Sequence, residues 1–313
     1  MKALVMGYHT MGCLGFDALL RHGFEIPAVF THRDNPSEEI WWDSLAARAR
    51  AAGVPVLYPD SMKAPAVLEQ VASFEPDFIF SFYFRFMIPP EVLALARRGA
   101  LNLHGSLLPK YRGRAPVNWV LVNGETETGV SLHYMVAKPD AGDLVDQEAV
   151  AIAFEETPLT LYGKLEEAAV RVLDRSLPLL IEGRAPSRPL DLTRGSYYGG
   201  RRPEDGLLDW QWPALKLFYL IRGVTHPYPG AFTHFRGRRL YVWWGKPEDR
   251  PAGVPPGTVV SATAEGLVVA AGEGCLRIAQ CQFEGEPEYD GYTLSTLHGI
   301  LPGAKLGLEA ETA

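Results

Sequence analysis

Lys2-Ala3-Leu4-Val5-Met6-Gly7-Tyr8-His9-Thr10-Met11-Gly12 is an apolar run that stops at a glycine. Residues 2–7 read as a first parallel strand, and Cys13 to His22 as the helix behind it, with Leu14, Ala18 and Leu19 on one face. Working outward, Ile26 to Thr31 reads as a second strand, Asp43 to Ala52 as an alanine-rich helix and Val54 to Leu57 as a third strand. Ala66 to Phe74 reads as a helix, Phe78 to Phe82 as a strand and Ala100 to His104 as a further strand. Pro89-Pro90 opens a helix between the last two, as proline does in a first turn. Strands alternating with helices of this length imply β-α-β units and a doubly wound, parallel-rich sheet. The first turn is not GxGxxG, and no Lys-Ser/Thr follows as a phosphate loop needs. It reads instead as a tight turn walling a cleft beyond the carboxyl ends of the strands.

Leu159 to Ile181 reads as a long amphipathic helix with Leu165, Ala168, Ala169 and Leu173 inward, and the pattern changes after about residue 200. Gly183, Pro186 and Pro189 mark a connector. Phe232 to Phe235, Arg239 to Trp244, Gly257 to Ala262, Gly266 to Ala271 and Gly274 to Gln280 are short strands between Gly and Pro turns. They read as a small β-barrel, OB-like, or a sandwich. The expected division is a first domain over 1–203, a second over 204–304 and a polar, frayed tail over 305–313.

A chain of 313 residues is comfortable for two domains. Its formal net charge of -7 speaks against a nucleic-acid partner, whose phosphates call for a basic face. Three cysteines, Cys13, Cys275 and Cys281, supply neither a disulfide framework nor zinc-ligand spacing, so no metal is expected. The first residues do not read as a signal peptide, and no apolar run is long enough to span a bilayer. The expectation is a cytoplasmic protein with no membrane partner.

Chemistry concentrates in Ala100-Leu101-Asn102-Leu103-His104-Gly105-Ser106-Leu107-Leu108-Pro109 and in Lys138-Pro139-Asp140-Ala141-Gly142. Asn102 and His104 are two apart, so a strand puts both on one face. An amide donor beside an imidazole can hold a developing oxyanion and move a proton at one centre. A carboxylate brought to that imidazole would keep it protonated or oriented. By spacing alone Asp140 could equally be a solvated turn residue. Lys110, Arg112 and Arg114 make a basic loop with Tyr111, either a solvated face or a clamp for an anion. His133 lies on a strand whose inward face the sequence leaves open, and it reads as structural. His9, His32, His226, His234 and His298 show no metal spacing, and Glu125 and Glu127 read as solvated.

Asn102-x-His104, the following Ser106-Leu107-Leu108-Pro109-Lys110-Tyr111-Arg112-Gly113, and Asp140-Ala141-Gly142 together resemble the 10-formyltetrahydrofolate-dependent formyltransferases. Arg201-Arg202-Pro203-Glu204-Asp205-Gly206 and His226-Pro227-Tyr228-Pro229-Gly230-Ala231-Phe232 resemble second-domain motifs of the branch that includes methionyl-tRNA formyltransferase. Tyr8-His9-Thr10-Met11-Gly12-Cys13-Leu14-Gly15, Thr31-His32-Arg33-Asp34-Asn35-Pro36, and Arg112-Gly113-Arg114-Ala115-Pro116-Val117-Asn118-Trp119 through Gly124-Glu125-Thr126-Glu127-Thr128-Gly129 resemble the formyltransferase modules of the bifunctional UDP-4-amino-4-deoxy-L-arabinose enzymes of polymyxin resistance.

The resemblance implies a fold and a reaction. The fold is α/β, a Rossmann-like formyltransferase domain with a parallel-rich twisted sheet, followed by a small OB-like β-barrel. The reaction is formyl transfer from N10-formyltetrahydrofolate, without metal, to the 4-amine of UDP-4-amino-4-deoxy-L-arabinose, a step of lipid A modification. Asn102, His104 and Asp140 are the implied catalytic residues. Phe86, Met87, Ile88 and Arg114 would line the folate pocket, with Val136, Ala137, Lys138, Pro139 and Asp140 as its other wall. Arg201 or Arg202 would reach the diphosphate. Enzymes of this type carry a decarboxylase module after about residue 310, so the chain reads as an excised domain or a stand-alone relative. Another nucleotide amino sugar, methionyl-tRNA, folate hydrolysis or folate binding without turnover are the alternatives.

Overall fold

The computed structural model describes residues 1–36 and 38–307. By contacts the chain divides into two compact units. The first comprises residues 1–116, 127–152 and 162–199, and the second residues 117–126, 153–161 and 200 onward. The division falls at 199/200, and two short internal segments that the sequence reading assigned to the first domain go with the second unit.

The first unit opens with β1 (Ala3–Gly7), α1 (His9–Arg21), β2 (Val29–Phe30), α2 (Leu45–Ala51) and β3 (Val56–Leu57). It continues with α3 (Pro65–Ser73), β4 (Phe78–Phe82), α4 (Pro90–Leu93), β5 (Gly99–His104) and β6 (Arg112–Gly113). After α5 (Pro116–Val122), which packs mainly in the second unit, come β7 (Glu127–Tyr134), β8 (Leu144–Ala151), α6 (Pro158–Ile181) and β9 (Tyr197–Tyr198). Seven strands form one sheet in the order β3-β2-β1-β4-β5-β7-β8. The pairs from β3 through β5 are parallel, and β7 and β8 join antiparallel.

The inner parallel strands β1, β2 and β4 are buried on both faces. Leu4, Met6, Phe30 and Ile79 pack with Met62, Val71 and Val92 in one cluster. The alternate residues Val5, Phe78, Phe80 and Phe82 are equally buried, and the Phe80 and Phe82 rings stack at 5.8 Å. That explains the near-continuous apolar runs of β1 and β4. Helix α1 comes so close to β4 that a Cβ on Gly15 would sit 2.4 Å from the Phe82 ring. The sequence reading gave no strand over β8. Its polar centre, Asp146-Gln147-Glu148, belongs to a sheet edge half open to solvent.

The second unit contains α7 (Ala214–Val224), β10 (Ala231–Phe235), β11 (Arg238–Glu248), β12 (Val259–Thr263), β13 (Gly266–Ala270), β14 (Cys275–Phe283), β15 (Tyr289–Asp290) and α8 (Gly291–His298). Its strands pair antiparallel in the order β10-β11-β14-β13-β12, with β15 on β14. Register shifts at Val242/Trp244 and Trp244/Gly245 bend β11. Leu217, Phe218 and Ile221 of α7 share a core with Val242, Leu276, Ile278 and Phe283. The sequence reading anticipated β10 to β14 here, but neither β15 nor the two helices.

Arg222 ties the internal segments into this unit. It is 2 % exposed, and its guanidinium donates to the carbonyls of Ala153, Phe154 and Leu121. The expected frayed tail is corrected at its start: Lys305 bridges to Thr258 and Leu306 is buried, while residues 308–313 lie outside the described residues.

Candidate active site

The site is built where the sheet changes from parallel to antiparallel. On β5, Asn102 and His104 alternate with buried Leu101 and Leu103 and so share a face. The antiparallel register sets His133 opposite Asn102 and Ser131 opposite His104. Directly opposed residues present side chains to the same side of a sheet. Four polar side chains therefore line one face of two neighbouring strands.

Asp140 arrives from the turn between β7 and β8. Its φ of 48° is left-handed, a conformation aspartate tolerates better than most residues. The turn is tight: a Cβ on Gly142 would fall 2.0 Å from the Tyr134 carbonyl oxygen. The backbone N–H of Gly113 donates to Asp140 Oδ2 at 2.8 Å. Oδ1 faces three groups. The Asn102 amide donates to it at 3.4 Å, His104 Nδ1 lies at 3.7 Å and His133 Nε2 at 3.4 Å. Burial alone would raise the Asp140 pKa. The charge of His104, the hydrogen bond and charge of His133, and the Gly113 N–H outweigh it and hold the carboxylate well below its usual range.

The two imidazoles are fixed from behind. His104 Nε2 meets the Tyr111 carbonyl oxygen at 2.8 Å, and His133 Nδ1 meets the Tyr134 carbonyl oxygen at 2.8 Å. A carbonyl only accepts, so each of these nitrogens carries a proton. His104 Nδ1 and His133 Nε2 are left facing Asp140. The loop after β5 is pinned by Ser131, whose hydroxyl donates to Ser106 O at 2.6 Å and accepts from Leu108 N at 3.1 Å. Neither Ser131 nor the orientation of His133 was legible in the sequence.

The residues expected around the folate divide into groups. Met87, Ile88 and Ala137 line one cavity of about 540 Å³, together with Met62, Leu68, Val92, Pro89 and others. The two loops expected as opposite walls thus meet at one mostly apolar cavity. Phe86 instead packs edge-on to His32 at 4.6 Å. Val136, Lys138 and Arg114 are exposed, Pro139 is half-buried, and none of the four lines that cavity. Arg112 is 8 % exposed, so the basic loop is not a uniformly solvated face.

In the second unit, Arg201 lies 4.6 Å over the Trp119 ring and donates to Asp205 O at 2.9 Å, and burial lowers its pKa. Arg202 N donates to Asp205 Oδ2 at 2.7 Å. Among the described residues no group of three or more His, Cys, Asp or Glu is placed to hold a metal. The three thiols are buried, and burial pushes Cys13 up to about 11 and Cys281 to about 12. No helix among the described residues is long and apolar enough to cross a membrane. An amide, an imidazole and a carboxylate around one point can polarise a carbonyl and relay a proton without a covalent enzyme intermediate.

Comparison with solved structures places this arrangement on a known fold. WlaRD, a sugar 3N-formyl transferase solved in the presence of dTDP and 5-N-formyl-THF, is 16% identical with a TM-score of 0.68, over 92% of this chain and 99% of that one. An N-formyltransferase from Helicobacter canadensis, in complex with folinic acid and dTDP-3-aminofucose, is 15% identical with a TM-score of 0.66 over the same shares. HypX from Aquifex aeolicus, in complex with tetrahydrofolic acid, is 18% identical with a TM-score of 0.63. The match covers 96% of this chain but only 48% of HypX, so this chain spans about half of that protein. At these identities the likeness is one of fold. The family is given by sequence: the model described as formyl transferase matches residues 20–177, and that of the formyl transferase C-terminal domain matches residues 201–296. The chain belongs to the formyl transferase family and is a formyltransferase.

Proposed function

We propose that this chain transfers a formyl group from N10-formyltetrahydrofolate to the amine of a nucleotide-linked amino sugar. UDP-4-amino-4-deoxy-L-arabinose is the first candidate acceptor, which would place the reaction in lipid A modification and polymyxin resistance. The observation that carries the reading is the convergence of Asn102, His104 and Asp140, with Asp140 Oδ1 at 3.4 Å from the amide and 3.7 Å from the imidazole. Fold neighbours crystallised with folates and dTDP or a dTDP-amino sugar support both halves of it. The local likeness of residues 8–15, 31–36 and 112–129 to the UDP-sugar enzymes supports the finer choice.

The cavity between Met87, Ile88 and Ala137 has the size and apolar character of a small-molecule site, and it suits a flat heteroaromatic ring. The folate bound there would supply the formyl group as an activated amide. This chain's own residues do the rest. Asn102 turns one amide proton from its long bond with Asp140 to the formyl oxygen, where negative charge develops as the sugar amine attacks. His104 supplies the proton that the departing folate nitrogen takes up and recovers one from the attacking amine, which loses a proton on becoming the amide. Asp140 faces His104 Nδ1 at 3.7 Å, orients the ring and accepts the hydrogen bond it donates. A positioned proton donor contributes about 10²–10⁴ in rate, and an oxyanion donor roughly 3–4 kcal/mol.

The test is incubation with N10-formyltetrahydrofolate and UDP-4-amino-4-deoxy-L-arabinose, followed by mass spectrometry of the sugar nucleotide. The expected result is a product heavier by one formyl group, with stoichiometric tetrahydrofolate. Formate release that ignores the sugar would overturn the reading. So would formylation of methionyl-tRNA alone, with affinity falling steeply as salt rises.

A further inference from the structure

A second cavity, of about 260 Å³, opens in the first unit beyond the carboxyl ends of β1, β2 and β3. Tyr8, Thr31, Arg33, Asp34, Arg50 and Tyr58 are among the residues that line it. Ligands in open α/β sheets bind in this position, and a carboxylate after the second strand is where such folds take a ribose hydroxyl. The catalytic constellation has no use for these residues.

Three observations mark a ligand site. Thr31 is 1 % exposed, yet its hydroxyl has no hydrogen-bond partner among the described residues. A buried hydroxyl left unpaired costs free energy that a ligand would recover. Asp34 is held in place by the Tyr8 hydroxyl, which donates to Asp34 Oδ1 at 2.6 Å. Burial first, then Asp34, pushes the Tyr8 pKa up to about 12, so the phenol remains a donor at neutral pH. Finally, the Arg33 guanidinium lies 4.6 Å over the Tyr58 ring and Arg50 donates to the Tyr58 hydroxyl at 2.7 Å. That wall offers donors that suit the carbonyl oxygens of a pyrimidine.

We propose that Asp34 reads the ribose hydroxyls of the acceptor nucleotide, so that this chain selects a ribonucleoside-diphosphate amino sugar over its 2′-deoxy counterpart. The inference rests on the nucleotide-sugar reading above and sharpens it. A carboxylate accepts two neighbouring hydroxyls at once, and a 2′-deoxyribose offers it one fewer. The sheet order sets the distance. From β5 to β2 is three strand steps, through β4 and β1, or about 14 Å at roughly 4.8 Å per step. An extended nucleoside-diphosphate sugar bridges such a gap, with its amine near His104 and its ribose near Asp34.

The experiment has a binding arm and a turnover arm. Calorimetry with UDP and dUDP is expected to give about tenfold tighter binding of UDP, one charge-assisted hydrogen bond's worth. Asp34→Asn is expected to bring that ratio below about threefold by weakening UDP more than dUDP, which has only its 3′-hydroxyl to lose from the carboxylate. UDP-4-amino-4-deoxy-L-arabinose and its 2′-deoxyuridine analogue should differ to the same degree in KM, with similar kcat. Equal binding of UDP and dUDP by the wild type overturns the ribose assignment. So does an Asp34→Asn variant that weakens both nucleotides alike, since a merely structural aspartate would act that way. Discrimination between UDP and dUDP without formylation of either sugar would instead leave the ribose assignment standing and overturn the acceptor reading.

Discussion

His133 Nε2 lies 3.2 Å from the Asn102 amide nitrogen, directly across the β5–β7 ladder, and 3.4 Å from Asp140 Oδ1. It is 1 % exposed and braced by the Tyr134 carbonyl. His133 therefore positions the amide and the carboxylate relative to each other. Removing the ring leaves both partners under-bonded, at a cost of about 1–3 kcal/mol. His133→Ala is expected to lower kcat for formyl transfer roughly tenfold to 10²-fold, with a smaller change in KM. Steady-state kinetics checks this, and a kcat within about threefold of wild type would remove His133 from the site.

Gly142 sets the path by which Asp140 reaches the strands. Any Cβ there meets the Tyr134 carbonyl oxygen at 2.0 Å and its carbon at 2.9 Å, and backbone yields less readily than a flexible side chain. Gly142→Ala is expected to destabilise the first unit by about 1–3 kcal/mol and to cut activity further than that loss of folded protein explains. Activity per folded molecule, with the folded fraction taken from circular dichroism, separates the two effects.

The depressed pKa of Asp140 has a pH signature. A carboxyl whose native pKa lies below its unfolded value stabilises the fold fully above the unfolded value, about 3.9. The contribution disappears as pH falls from there through the native value. The stability difference between wild type and Asp140→Asn is therefore expected to be constant near neutrality and to shrink below about pH 4. Urea unfolding across that range is the measurement; a difference that grows on acidification contradicts the assigned direction.

Arg222 is a buried cation that satisfies backbone carbonyls of both internal segments of the second unit. Arg222→Met keeps much of the volume and removes the donors. The expected loss is about 2–4 kcal/mol, read as a lower urea midpoint. A change below about 0.5 kcal/mol, the range of ordinary surface substitutions, would contradict this role.

How much of this was legible in the sequence differs from element to element. Strands β1, β4 and β5 and helix α6 stood out because burial on one or both faces leaves an apolar pattern. Strand β8 did not, because a half-solvated edge strand carries Asp146 and Glu148 without penalty. Helix α7 was hidden among short strands. For the site, the two-residue spacing of Asn102 and His104 carried the face they share. The approach of Asp140 depends on a turn some 36 residues away along the chain, which local pattern does not encode. The inward face of His133 depends on strand register, and the unpartnered hydroxyl of Thr31 on what surrounds it. Long-range pairing fixes all three.

The most direct test of the central claim is the single-turnover rate of formyl transfer from N10-formyltetrahydrofolate to UDP-4-amino-4-deoxy-L-arabinose, compared between wild type, Asn102→Ala and His104→Ala. The account expects each substitution to slow transfer by at least about 10² while the folded fraction stays high. Transfer by either variant within about threefold of wild type would contradict it.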